Sequence, residues 1–153
     1  MNNLAPLIIG ACLAIAGGYI GDEIRAWRER NRERKAIKIC IIDELREIES
    51  TISNMHQVWE TAATFHPSYI TDLLGNTSAY DTHRPRMYLI KDAELRREIS
   101  DFYKKLKDSA KKTEGKLGTL AQTEEARNEQ RGFDTAFQAI SAESRSLRGK
   151  LEG

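Results

Sequence analysis

The sequence has few cysteines, and this shortage narrows the class of protein. Only Cys12 and Cys40 occur among its 153 residues, and they lie far apart in different predicted elements. Small secreted domains depend on several disulfides, so we expect no disulfide here and a reducing compartment around Cys40. With 40% apolar and 31% charged residues, the composition is that of an ordinary folded chain.

Motifs that carry enzyme chemistry are also lacking. The sequence has no glycine-rich phosphate loop, no HExxH, no CxxC and no nucleophile elbow. His56, His66 and His83 are far apart, and we expect each to be a surface or loop histidine without a metal ion. Acidic residues on the predicted helices alternate with basic ones, as solvated faces do. These absences predict a non-enzymatic protein without a cofactor.

Charge is missing from one long stretch near the N-terminus. Residues 4–21, LAPLIIGACLAIAGGYIG, contain no charged side chain. As a helix this stretch would be about 27 Å long, close to the thickness of a bilayer's hydrocarbon core. Tyr19 and Trp27 stand where aromatic rings prefer the headgroup region. We therefore assign residues 1–23 to a transmembrane helix in contact with membrane lipid.

Three other interpretations of this stretch are disfavoured. A secretory signal peptide needs basic residues before the apolar run, but residues 1–3 carry no side-chain charge, although residues 14–16 are similar to a cleavage site. Residues 9–12 resemble a lipobox faintly and lack the same basic leader. A buried core helix would have a polar face, which residues 4–21 do not.

Positive charge follows the apolar stretch and does not precede it. By the positive-inside rule, the protein should lie in the cytoplasmic (inner) membrane with its N-terminus outside and its C-terminal domain in the cytoplasm. Residues 24–40 form a basic juxtamembrane helix, which sets the topology and also attracts anionic lipid headgroups. Its cationic residues are Arg25, Arg28, Arg30, Arg32, Arg34, Lys35 and Lys38.

Small residues recur at helical spacing within the apolar stretch. Small side chains let two helices approach closely in lipid, where packing drives association. This pattern predicts a homo-oligomer formed through the membrane helix, although glycine is common in membrane helices generally. The residues of this face are Gly10, Ala14, Gly17, Gly18 and Gly21.

The strongest periodicity lies beyond the basic segment. Apolar residues alternate at spacings of four and three, which is a heptad seam. The seam consists of Ile41, Leu45, Ile48, Ile52, Met55, Trp59 and Ala62. Further apolar residues widen the stripe and favour packing inside a bundle over a bare coiled coil. No proline or glycine occurs from residue 22 to residue 65, so one helix should run from the membrane segment through the seam.

Two more long helices and one short helix are predicted after His66-Pro67. Residues 68–74 form the short helix, which Ser68 could cap, and residues 76–86 form a long loop. Asp92 should cap the second long helix, and the third should begin near Thr123. The fold class is all-α, with one transmembrane helix running into a cytosolic bundle of three long helices and one short helix. The bundle domain spans residues 41–149.

Two basic features suggest binding of an anionic ligand such as a nucleotide. In the predicted loop, His83, Arg84 and Arg86 lie between Tyr80 and Tyr88, a composition suited to phosphate. An ordinary exposed loop is the alternative. A lysine run provides the second feature and could bind nucleic acid or lipid, although a solvated helix face is its alternative because no aromatic residue interleaves with it. The run consists of Lys104, Lys105, Lys107, Lys111, Lys112 and Lys116.

These features predict a single-pass, membrane-anchored interaction or sensor protein that oligomerises through its membrane helix and bundle and recruits a protein partner. One alternative is an effector of prokaryotic antiphage defence, whose cytosolic domain binds an anionic cyclic nucleotide and whose membrane helices perturb the bilayer. A second is a phage lysis protein of the spanin kind. A spanin body lies in the periplasm, which the distribution of positive charge contradicts.

Overall fold

The computed structural model describes the backbone of residues 4–62, 66–117 and 124–153, and side chains at 10, 13, 17–61, 66–116 and 127–153. Within these ranges every regular element is a helix and no strand is present, which confirms the all-helical class. The elements are α1 (Leu4–Ala62), α2 (Pro67–Gly75), α3 (Ser78–His83), a 3₁₀ helix (Arg84–Leu89), α4 (Ala93–Leu117) and α5 (Glu124–Glu152). Residues 1–36 and 37–153 form two separate compact units.

The first unit contains the predicted membrane segment, in which α1 begins at Leu4. Among the described residues, no helix is both long enough and apolar enough to cross a membrane. The predicted transmembrane helix is therefore not supported by the described part of α1. Most side chains of the apolar stretch, at residues 4–9, 11, 12 and 14–16, lie outside the described residues. Those that are described, such as Leu13, Tyr19 and Ile20, are exposed.

The second unit, residues 37–153, is a helical bundle with the heptad seam of α1 in its core. Ile41, Leu45, Ile48, Ile52 and Met55 are all buried, and Trp59 packs against the same core while partly exposed. The side chain of Ala62 lies outside the described residues. The seam therefore packs against helices of its own chain. This confirms the expectation of a bundle, and it also means that these seam positions are not a contact surface for a second copy.

Helix α2 begins one residue earlier than predicted and has a different cap. His66 precedes the helix in extended conformation, and its Nδ1 accepts a hydrogen bond from the Ser68 backbone N–H at 3.3 Å. Pro67 occupies the first helical position, where its missing N–H costs nothing. Ser68 is thus inside the helix, and the prediction that it caps α2 was wrong.

Residues 76–86 were predicted to form a loop, and this prediction was wrong. They contain α3 and the start of the 3₁₀ helix, so the bundle carries more short helical elements than the single one expected. The reason is a cap from a distant part of the chain. The Glu44 carboxylate of α1 accepts hydrogen bonds from the backbone N–H groups of Ala79, at 2.6 Å, and Tyr80, at 3.2 Å. These donors at the start of α3 have no partner inside the helix and need an acceptor.

Helices α4 and α5 follow the prediction more closely. The Asp92 carboxylate caps α4 by accepting from the N–H groups of Glu94 and Leu95 at 2.9 and 3.0 Å. The predicted inward positions of both helices are buried where their side chains are described. They are Leu95, Ile99, Phe102, Leu106, Ala110, Thr113, Phe133, Phe137, Ile140 and Leu147. Helix α5 continues through Gly149 and buries Leu151, because helical hydrogen bonding persists to Glu152.

Candidate anion-binding groove

A polar stripe runs along one face of α4. Arg97, Ser100, Lys104, Lys107 and Lys111 follow one another at spacings of three and four residues, so they share one side of the helix. All five side chains line one or both of two cavities that α4 forms with α3 and the 3₁₀ helix. The fold therefore combines the lysine run of α4 with the segment around Arg84, two features that the sequence presents separately.

The two cavities adjoin, because Tyr80, Arg84 and Ser100 line both of them. The larger has a volume of about 430 Å³, and Tyr88, Arg96 and Arg97 stand in its wall. The smaller measures about 240 Å³ and is bordered by the three lysines of the stripe. We call the two cavities together the cationic groove.

Positive charge exceeds negative charge in this groove. Six cationic side chains face three acidic ones, Asp81, Asp101 and Asp108, a surplus of three. Lys107 is paired with Asp81 at 2.6 Å, and Arg96 donates to the backbone carbonyls of Ile90 and Lys91.

The other four cationic side chains make no ion pair within the described chain. They are Arg84, Arg97, Lys104 and Lys111. Unpaired cations gathered in a concave surface attract anions, because the walls exclude part of the screening solvent.

Stacked aromatic rings form the floor of the groove. Tyr80 is buried, and its ring lies parallel to that of Tyr103, with the ring centroids 4.1 Å apart. Phe102 meets Tyr103 edge to face at 5.3 Å. Such pairs favour a fixed geometry. Tyr80 and Tyr103 both line the smaller cavity, so their stacked rings form part of its wall.

Beneath the rings lies a buried acid, Glu44. Burial raises the pKa of its carboxyl group, while its interactions with Tyr103 and the N–H groups of Ala79 and Tyr80 oppose that rise. Burial and the nearby Glu44 charge also raise the pKa of Tyr103, so its hydroxyl stays protonated. This hydroxyl interacts with Glu44, but its geometry falls short of a hydrogen bond, and it has no other hydrogen-bond partner among the described residues.

The groove contains part of the predicted ligand-binding set. Tyr80, Arg84 and Tyr88 come together there. His83 and Arg86 are not among the described side chains that line the two cavities. Tyr80 differs from the prediction, because it stacks on Tyr103 in the core and is not an exposed ring beside the arginines.

Sequence reasoning missed several residues of this site. Arg96, Arg97 and Ser100 line the groove from α4, and Tyr103 lies in its floor above Glu44. The spacing of three and four residues from Arg97 to Lys111 is visible in the sequence, and this periodicity could have identified the polar stripe. No local pattern connects Glu44 to α3, because they are about 35 residues apart in the chain.

The predicted membrane-contacting residues lie mostly on exposed surface. Gly10, Gly17, Gly18 and Gly21 are open, since a Cβ atom added at any of them would meet nothing within 4 Å. The side chain of Ala14 lies outside the described residues. The predicted lipid-contacting cations are exposed or half-exposed, and they are Arg25, Arg28, Arg30, Arg32, Arg34, Lys35 and Lys38.

Arg30 and Lys38, among these cations, have partners within the described chain. Arg30 pairs with Glu23 at 3.4 Å. Lys38 donates to the backbone carbonyl of Leu151 at 3.2 Å, so its ammonium group links α1 to the end of α5.

A second polar cluster joins α1 to α5. His56 was predicted to lie on the surface, but it is partly buried, with its Nδ1 atom 3.0 Å from the Asp134 carboxylate and its Nε2 atom 3.4 Å from Glu60. Glu60 follows His56 at helical spacing, a pairing that the sequence already displays. The described residues contain no group of three ligands suited to a metal ion. The contact of His56 with Asp134 forms a polar bridge between α1 and α5.

Comparison with known proteins identifies no relative of this chain. No protein-family model, no curated protein and no solved structure matches the chain.

Proposed function

We propose that this chain is a membrane-anchored, non-enzymatic sensor whose folded unit, residues 37–153, binds an anionic ligand in the cationic groove. The observation that carries the proposal is the convergence of Arg84 with Arg97, Lys104 and Lys111 around one concave surface. Ordinary solvated faces pair their charges along a helix. These four cations have no acidic partner in the described chain, and keeping them together costs electrostatic repulsion that a bound anion would relieve.

The anchor in this proposal is the uncharged stretch of residues 4–21. Support comes from its length and its missing polar face, and from the exposure of Leu13, Ile20 and Ile24. Exposed apolar side chains at this density are typical of surfaces that lipid or another protein covers. The excess of arginine after the stretch favours a cytoplasmic groove.

Membrane fractionation with a terminal reporter tests the anchor. We expect the full chain to stay in the membrane pellet after an alkaline carbonate wash. Alkaline phosphatase fused after Gly153 should be inactive, whereas a fluorescent protein fused there should be bright, because the C-terminus is cytoplasmic. Release by carbonate would contradict the anchor, and active phosphatase would contradict the topology.

Self-association through the glycine face belongs to the same proposal. The positions Gly17 and Gly21 are open, since a Cβ atom added at either meets nothing within 4 Å. We expect Gly17→Leu with Gly21→Leu to abolish a crosslinked dimer in native membranes, because the larger side chains separate two helix backbones. Gly149→Leu, at another open helical glycine, is the matched control and should crosslink normally. Crosslinking that the double variant leaves unchanged would refute this interface.

A further inference from the structure

We propose that the cationic groove binds a short single-stranded oligonucleotide, with its phosphates along the stripe of α4 and one base against Tyr88. This inference rests on the proposed anion-binding function and specifies the ligand. Proteins that bind single strands without sequence preference combine a positively charged groove with aromatic rings on which bases stack. Both parts are present in the groove, although they come from different segments of the chain.

The length of the stripe indicates an extended polyanion. Arg97 and Lys111 are separated by four turns of α4, which corresponds to about 21 Å along the helix axis. One inorganic phosphate would occupy only a small part of that distance. Lys104 stands between them on the same face, and Arg84 approaches from the opposite wall. Guanidinium groups at one end of the groove can bind phosphate in a bidentate manner, and the lysines extend the positive field along it.

Tyr88 supplies the aromatic surface that the lysine run lacks in sequence. Its side chain is 70% exposed and stands in the wall of the larger cavity with Arg84 and Arg97. Tyr80 and Tyr103 differ, because both are buried in the floor. An exposed ring beside two arginines is suited to a base whose phosphate the arginines hold.

One polar group at the junction of the cavities, the Ser100 hydroxyl, fits the same ligand. Ser100 lines both cavities with an exposed hydroxyl, which can donate to a phosphate oxygen or accept from a base. Asp81 is paired with Lys107 at 2.6 Å, and the four unpaired cations of the groove outnumber its other two acids, Asp101 and Asp108.

The shape of the site favours a strand over a lipid surface. Bilayer headgroups present a nearly flat plane, which would contact the tips of exposed lysines and leave concave regions unfilled. Here the cations line cavities of about 430 and 240 Å³ between α4 and the preceding short helices. A flexible chain of nucleotides can enter such a space.

The test is binding of a fluorescently labelled oligothymidylate of about ten nucleotides to the full chain in nanodiscs of zwitterionic lipid. We expect Arg97→Ala with Lys104→Ala to raise the dissociation constant at least tenfold at low salt. The slope of log K against log salt should also become shallower by about 1.4, since each phosphate contact on a single strand contributes about 0.7. The matched control is Lys112→Ala with Arg131→Ala, two exposed cations outside the groove, which should bind within about twofold of wild type.

Tyr88 provides a second readout that charge alone does not affect. Tyr88→Ala should weaken binding about tenfold, whereas Tyr88→Phe, which keeps the ring, should bind like wild type. Equal losses of oligothymidylate affinity in the Arg97→Ala, Lys104→Ala variant and in its control would show that the groove is not the binding site. Wild-type affinity in Tyr88→Ala would overturn the role of stacking.

Two other probes distinguish a wrong ligand identity from a wrong anion-binding function. Binding of inorganic triphosphate that depends on Arg97 and Lys104, without binding of oligothymidylate, would overturn the oligonucleotide and leave the anion-binding function standing. The same holds if only vesicles containing anionic lipid bind in a groove-dependent way. If no anion binds at all, both proposals are wrong.

Discussion

Glu44→Ala is expected to lower the unfolding free energy of the chain by about 2 kcal/mol and to disorder α3. The buried carboxylate is the acceptor for the N–H groups of Ala79 and Tyr80, and each unpaired buried donor costs about 1 to 3 kcal/mol. Two effects offset part of this loss of stability: the variant no longer bears the desolvation cost of a buried acid, and alanine has the better helix propensity. Because Arg84 follows directly after α3, the variant should also bind an anionic ligand more weakly.

Denaturant unfolding of the detergent-solubilised chain, followed by circular dichroism, measures this effect. Glu47→Ala is the control, since Glu47 lies on the same helix but is exposed and makes no ion pair in the described chain. Its unfolding free energy should stay within about 0.5 kcal/mol of wild type. An equally small effect of Glu44→Ala would show that α3 does not depend on this cap.

The raised pKa of Glu44 makes a separate prediction about pH. Burial raises the pKa above the ordinary 4.5, so the folded chain holds this proton more tightly than the unfolded chain does. The stabilising contribution of the protonated acid is complete below about pH 4.5 and is lost as pH rises through the folded-state pKa. The unfolding free energy of wild type minus that of Glu44→Gln should therefore fall as pH rises across this window. A difference that grows with pH would contradict the assigned direction.

Leu13→Arg is expected to shift the chain about 100-fold from the membrane to the soluble fraction. Leu13 lies near the middle of the uncharged stretch, and its side chain is 67% exposed. At the centre of a membrane helix an arginine costs about 2.5 to 3.5 kcal/mol, which corresponds to about 100-fold in the partition constant. Carbonate extraction followed by quantitative blotting measures the two fractions.

Ile39→Arg is the matched control for that experiment. Ile39 lies on the same helix and is 58% exposed, but it belongs to the folded unit beyond the uncharged stretch. Its variant adds the same charge and should stay in the membrane fraction. If Leu13→Arg is retained equally well, the stretch does not act as the anchor.

Local patterns in the sequence were sufficient to predict the long helices. The heptad seam from Ile41 to Met55 is a periodic signal, and periodicity depends only on spacing along one helix. The Asp92 cap was predictable for the same reason, since its donors lie two and three residues away. The segment 76–86 was mispredicted as a loop because its cap comes from Glu44, which no local rule connects to it.

The sequence by itself determined the helical class, the uncharged N-terminal stretch and the excess of positive charge after it. Each of these follows from composition or periodicity along the chain. Tertiary structure decided which charges meet: Arg84 and Tyr88 join Arg97, Lys104 and Lys111, while Tyr80 is buried against Tyr103. The physical reason is that a groove depends on contacts between residues far apart in sequence. Those contacts are fixed by how the apolar faces of the helices pack.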